Sequence, residues 1–199
     1  MSGTTFLDRV LGRVSATGVR EYTFHHWQEA GKPTAEAVGV LPVPGVDAER
    51  FLGRVMDVGH YLGHIEHVVE SRVVADPAHT PPAAVRFYQR VKIPLVGDVH
   101  QEVAMRRLAP RQGFEIAEFH LLARETEALS PKVAARSAYA DGAWLVAPGV
   151  VAYALSSAPR REDVGFVKWK VLTTGADVAA GKVIRGNIEG MARWAAAPD

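Results

Sequence analysis

The segment DVAAGKVIRGNIEGMARWAA, residues 177–196, decides how this chain is read. Ile184, Ile188, Met191 and Ala195 fall at steps of four, three and four, which makes one apolar stripe along a helix. A helix with such a stripe needs an apolar surface to cover. The residues before it supply one. In residues 84–93, Val85, Phe87, Gln89, Val91 and Ile93 share one face, while Arg86, Tyr88, Arg90 and Lys92 share the other. That period of two is the pattern of a half-buried strand.

Working outward, Pro94 and Gly97-Asp98 turn the chain into a second alternating run, Val99, Gln101, Val103 and Met105 against His100, Glu102 and Arg106. Pro110–Gly113 is a turn, Phe114–Ala123 a strand, and Ser137–Val146 and Val150–Ser157 are two more, split by Pro148-Gly149. Gly165–Thr173 alternates too, Val167, Trp169 and Val171 opposed to Lys168 and Lys170, and reads as a last strand. Upstream, Ile65–Ala75 is a strand closed by Asp76-Pro77. Asp47 is a good N-cap for a helix that buries Phe51, Leu52 and Val55 and ends near Gly59. Glu36–Val43 is a strand stopped by Pro42, Pro44 and Gly45. Residues 20–30, with Tyr22, Phe24 and Trp27, are a strand or an aromatic connection. Phe6, Leu7, Val10, Leu11 and Val14 mark a short amphipathic helix from Thr5 to Val14, with Gly18 as its stop.

Consecutive strands joined by tight turns and followed by one long helix indicate an α+β fold with an antiparallel sheet. The expected architecture is a curved sheet wrapped around the C-terminal helix, with an additional N-terminal helix. Residues 1–199 are expected to form one domain, residues 1–35 being its N-terminal helix and extension. One apolar sheet face must be covered, and a strongly bent sheet does not close flush on a single helix. The gap would be concave, apolar and lightly studded with polar groups, as a small-molecule pocket is.

Composition narrows the functional classes. The 199 residues include no cysteine, so thiolate metal sites, disulfides and cysteine nucleophiles are excluded. A formal net charge of +1 gives no reason to expect nucleic acid as a partner. Asp8, Arg9 and Arg13 interrupt any signal-peptide-like apolar run, and no stretch is long enough to span a bilayer. The chain reads as a soluble, cytoplasmic protein. No G-x-G-x-x-G, P-loop or G-x-S-x-G is present, so no cofactor is expected and serine hydrolysis has no support.

Three segments resemble the START-like, or helix-grip, superfamily: VPGVDAERFLGRVMDVGHYLGHIEHVVESRVV (43–74), RFYQRVKIPLVGDVHQEVAMRRL (86–108) and VGFVKWKVLTTGADVAAGKVIRGNIEGMARWA (164–195). They look like that family's strand–helix–turn–strand entrance, its central hairpin, and its last strand, loop and covering helix. The superfamily includes lipid-transfer domains, polyketide cyclases and pollen-allergen-like proteins. The resemblance implies a hydrophobic ligand cavity and fixes no activity, because the fold hosts binders, carriers and enzymes.

Candidate site residues follow. The strand side of the pocket is expected to include Phe87, Gln89, Val91, Gln101, Val103, Met105, Glu118, His120, Tyr139, Tyr153 and Trp169, and the helix side Ile184, Ile188 and Met191. Glu118 and His120 lie two apart and would share a strand face. Facing inward, they could do acid–base chemistry; in the other register Ala117, Phe119 and Leu121 point inward and the pair meets water. His60, His64 and His67 could hold zinc if helical, whereas Gly59 and Gly63 favour a turn in which they diverge. No metal site is therefore assigned. Phe6–Val14 could touch a membrane transiently, or pack on the sheet.

Three functions remain in view. One is a carrier or sensor for a lipid-like or polycyclic ligand. The second is a cyclase- or dehydratase-like enzyme built on Glu118 and His120. The third is an interaction protein whose cavity is filled.

Overall fold

The computed structural model describes residues 4–94, 96–129, 135–174 and 176–198, with side chains apart from those of residues 171–179. The elements are α1 (Phe6–Leu11), β1 (Thr23–Trp27), β2 (Glu36–Pro42), α2 (Ala48–Met56), β3 (Val68–Val74), β4 (Ala84–Ile93), β5 (Gly97–Arg111), β6 (Phe114–Leu121), α3 (Ala123–Glu127), β7 (Ser137–Ala147), β8 (Val150–Pro159), α4 (Arg161–Val164), α5 (Phe166–Thr174) and α6 (Ala176–Ala196). The eight strands form one antiparallel sheet in the order β1-β2-β8-β7-β6-β5-β4-β3. Register shifts interrupt β3/β4, β5/β6 and β7/β8, and such bulges add twist and bend a sheet.

Two apolar layers flank this sheet. On the inner face, Phe51, Leu52 and Val55 of α2 and Ile184, Ile188 and Met191 of α6 pack with Phe87, Met105, Trp144 and Tyr153. On the outer face, Phe6, Leu7, Val10 and Leu11 of α1 pack with Val38, Val40, Phe114, Ile116 and Leu145. The α1 apolar face is thus packed on the sheet. Helix α1 is fixed at its start by a capping box, the Thr5 hydroxyl accepting from the Asp8 N–H and the Asp8 carboxylate accepting from the Thr5 N–H. It ends at Gly12 rather than near Gly18. Asp47 caps α2 as expected, accepting from the Arg50 N–H at 2.9 Å. That helix stops at Met56, and a single 3-10 turn, Val58–His60, follows.

One element is not what the alternation indicates. Residues 165–173 do not form a strand; α5 is helical, and the Trp169 N–H bonds the Gly165 carbonyl at 3.0 Å. The reason lies in the sheet order. Strand β8 has β2 on one side and β7 on the other, so a strand following it has no adjacent edge to join. The chain leaves the sheet through Gly165, at φ +78°. Phe166 and Val167, at 61% and 75% exposure, lie largely in solvent rather than on an inner face. The Val171 side chain lies outside the described residues.

Close approach seats α6. A Cβ on Gly39 of β2 would come within 2.5 Å of Ile184 Cγ2 and 2.7 Å of the Tyr22 hydroxyl. That hydroxyl donates to the Gly181 carbonyl of α6 at 2.7 Å. A Cβ on Gly190 would meet the His64 carbonyl oxygen at 2.2 Å, and one on Gly186 the Glu66 carboxylate at 1.9 Å. The His64 ring stacks on Trp194, centroids 4.4 Å apart.

On the outer face, Glu36 is fully buried and accepts from Arg9 at 2.7 and 2.8 Å and from Trp27 Nε1 at 2.9 Å, with Lys32 Nζ 3.0 Å away. Burial alone would raise its pKa; the hydrogen bonds from Arg9 and Lys32 more than reverse this and hold it below the usual carboxylate value of 4.5. Its contribution to stability is therefore present above about pH 4.5 and is lost as pH falls through the depressed folded value.

Two predictions follow from these contacts. Glu36→Gln leaves Arg9 and Lys32 facing a neutral amide, and urea unfolding at pH 7 should show a loss on the order of 2–3 kcal/mol that shrinks in acid. Gly190→Ala must displace backbone and should lower the melting temperature by several degrees. Gly186→Ala meets the end of a flexible Glu66 side chain and should change it little; equal effects would refute this account of the seat.

Candidate functional site: an apolar cavity under the last helix

Between α6 and the β4–β5 side of the sheet lies a cavity of about 440 Å³. Its size and position follow from the seat just described. Helix α6 packs chiefly on β2, β8 and α2. The floor alternates with the strand period. Phe87, Gln89 and Val91 come from β4, Val99, Gln101, Val103 and Met105 from β5, Phe119 from β6, Trp144 from β7, and Tyr153 and Leu155 from β8. Cross-strand pairs build this floor: Phe87 opposite Val103, Gln89 opposite Gln101, Val91 opposite Val99. Trp144 stacks on Tyr153 with ring centroids 4.1 Å apart. The rim is the loop Ile65–Val68 with Lys92, Ile93 and Pro94. The Glu66 N–H donates to Asn187 Oδ1 of α6 at 2.7 Å, and the Lys92 N–H to the His67 carbonyl at 2.8 Å.

The polar groups inside are neutral. The Ser137 hydroxyl donates to Gln101 Oε1 at 2.7 Å, and Gln101 Nε2 donates to Gln89 Oε1 at 2.9 Å. Tyr61 is buried and its hydroxyl donates to the Val55 carbonyl. Burial raises the pKa of both Tyr61 and Tyr153, so both are phenols at neutral pH. The charged lining residues, Glu66 and Lys92, are exposed at the rim.

Of the residues singled out from sequence, Phe87, Gln89, Val91, Gln101, Val103, Met105 and Tyr153 line this cavity. Others do not. Glu118 and His120 are on the outer face, because Ala117 and Phe119 take the inner one. Glu118 sits opposite Arg106 and pairs with it at 3.3 Å, and His120 sits opposite Asp141. The acid–base pair thus has no access to the cavity. Tyr139 also points outward, its hydroxyl bonded to Thr34 Oγ1 and its ring under Lys32 Nζ at 5.0 Å. Trp169 of α5 lies beside Tyr139 in a separate outer recess. Ile184, Ile188 and Met191 are buried in the core with α2; the α6 residues that meet the cavity are Ala180, Val183 and Asn187.

Sequence reasoning missed Trp144, Ser137, Ala140 and the 65–68 loop, and held Phe119 inward only in the alternative register of its strand. A register shift at Ser137/Tyr139 lets Ser137 reach the cavity along with Ala140 and Trp144, which strict alternation along β7 does not allow. His60 bonds Asp57 at 2.8 Å, His64 stacks on Trp194, and His67 adopts φ +64° at the start of β3. Among the described residues no three His, Asp or Glu side chains gather closely enough to hold a metal ion. Nor is any helix there long and apolar enough to cross a membrane.

No family model matches the chain, and no curated protein matches it significantly by sequence. Solved structures do match by shape. A STAR-related lipid transfer protein from Xanthomonas axonopodis superposes with a TM-score of 0.69 at 12% identity, over 90% of this chain and 96% of that one. Human STARD10 gives 0.68 at 12% identity, over 97% and 82%. Human StAR-related lipid transfer protein 5 gives 0.66 at 11% identity, over 94% and 93%. With this strand order and this covering helix, the chain has the helix-grip fold that these structures share.

Proposed function

We propose that the protein binds an apolar small molecule or lipid in the cavity beneath α6, as a carrier or sensor. The observation that carries this reading is the lining: a cavity of about 440 Å³ walled by Phe, Val, Met, Trp, Tyr and Leu side chains, with a few neutral polar groups among them. Apolar contents gain from leaving water roughly in proportion to the area they bury there. Two of the similar folds are named as lipid transfer proteins, which supports the same class of ligand. The outward placement of Glu118 and His120 removes the basis for a cyclase- or dehydratase-like reaction at that pair.

The test uses N-phenyl-1-naphthylamine, whose fluorescence rises in apolar surroundings, together with mass spectrometry of organic extracts from purified protein. The wild type should bind the dye saturably, and extracts should contain a stoichiometric apolar compound or none that competes. Val103→Phe narrows the floor beside Phe87 and Gln101, and should weaken dye binding by about tenfold while circular dichroism is unchanged. Absence of saturable dye uptake by the folded wild type would overturn the proposal.

A further inference from the structure

The cavity floor carries one polar feature in an otherwise apolar stretch. Gln89 and Gln101 face each other across β4 and β5, with Phe87 and Val103 on one side and Val91 and Val99 on the other. Both glutamines are 8% exposed and Ser137 is 6% exposed, so each is more than nine-tenths buried. A buried amide surrounded by valine and phenylalanine is costly unless its hydrogen-bonding capacity is used. Part of it is used internally. Ser137 donates to Gln101 Oε1, and Gln101 Nε2 donates to Gln89 Oε1. The chain of bonds ends at Gln89 Nε2, which has no partner among the described residues and belongs to a side chain that lines the cavity. Nearby, the Tyr153 hydroxyl also lacks a partner among the described residues, yet it is not one of the sealed, unsatisfied polar atoms. Its oxygen therefore opens onto the cavity.

We infer that the ligand carries a neutral oxygen acceptor, a ketone or hydroxyl, on an otherwise apolar skeleton, and that Gln89 Nε2 donates to it. This rests on the proposal that the cavity binds a ligand, and names the class of that ligand. An amide N–H suits a carbonyl or hydroxyl oxygen, and its neighbours Gln101 and Ser137 hold it in place through two bonds. A carboxylate or phosphate is disfavoured at the same position. Its charge would be buried beside amides with no cation, since Lys92 stands exposed at the rim. A pure hydrocarbon would leave the Gln89 amide unsatisfied. The polar chain thus selects against both charged and wholly apolar molecules of the same shape.

Three probes of nearly equal shape separate these possibilities: 2-acetylnaphthalene, 2-isopropylnaphthalene and 2-naphthoate, each competed against N-phenyl-1-naphthylamine on the full chain. The ketone should bind about tenfold more tightly than the hydrocarbon, and the carboxylate more weakly than either. In Gln89→Met/Gln101→Met, which removes both amides together, the ketone should lose its advantage while the hydrocarbon binds at least as well as before. Equal binding of ketone and hydrocarbon by the wild type would overturn the inference and leave the cavity proposal standing. Preference for the carboxylate would also overturn it. Failure of the dye and of all three probes would sink the cavity proposal and this inference with it. The wild-type ranking alone decides the matter should the double variant not fold.

Discussion

The structure depends on how closely α6 lies against one half of the sheet. Glycine at position 39 lets Ile184 reach the surface of β2, and glycine at 190 lets the His64 backbone lie against the helix. Ile184, Ile188 and Met191 are then buried with α2, and the Tyr22 hydroxyl ties down the helix backbone at Gly181. A helix seated toward β2 and β8 packs chiefly there and leaves a gap over part of β4 and β5. The cavity is the consequence. It is set less by the residues that line it than by the small residues that fix where the helix stops. Interiors are packed too densely for a helix to float between two positions, so the location of the void is fixed along with the seat.

The same sheet separates charge from apolar surface strand by strand. On β4 and β5 the outer face carries Arg86 bound to Glu102, and Arg90 bound to Asp98. The inner face of those residues' neighbours carries Phe87, Gln89, Val91 and Val103. Along a strand, successive side chains cannot share a face. A charged outer face and a neutral inner one are therefore two readings of one alternation. The polar side chains that remain inside, the amides of Gln89, Gln101 and Asn187 and the hydroxyls of Tyr61, Ser137, Tyr153 and Ser157, carry no charge. The interior therefore offers hydrogen-bonding groups and no charged ones.

Much of this was legible in the sequence. Period two in 84–93 and 99–106 placed Phe87, Gln89, Val91, Gln101, Val103 and Met105 on one face, and the structure puts all six at the cavity. The stripe in α6 was read as the helix side of the pocket; it is buried in the core instead, because a helix has several faces. The stripe meets α2, and the adjoining line of Ala180, Val183 and Asn187 meets the cavity. Periodicity identifies a buried face without saying what lies against it. Where both faces of a strand are apolar, alternation does not choose the register. Strand β6 is packed on both sides, with Ile116 outside and Ala117 inside, so Glu118 and His120 could be assigned only through their cross-strand partners. Residues 165–173 failed for a different reason. A short alternating run fits strand and helix alike, and what excluded the strand was a sheet order that no local pattern contains.

Stability sets a last constraint on the cavity. Unfilled apolar volume costs roughly 24 cal/mol per Å³ in proteins whose surroundings relax only in part. With nothing in it, the 440 Å³ pocket forfeits dispersion contacts along its apolar wall. A sequence free to repack could reduce this with a few larger side chains, yet Ala140, Val91, Val99 and Val103 stay small along the floor. Water can offset part of the cost where it finds the Gln89 amide and the Tyr153 hydroxyl, but gains little against valine and phenylalanine. An apolar molecule with one neutral oxygen offsets both parts together. It restores dispersion contacts to the apolar wall and meets the hydrogen-bonding capacity that the Ser137–Gln101–Gln89 chain leaves at its end.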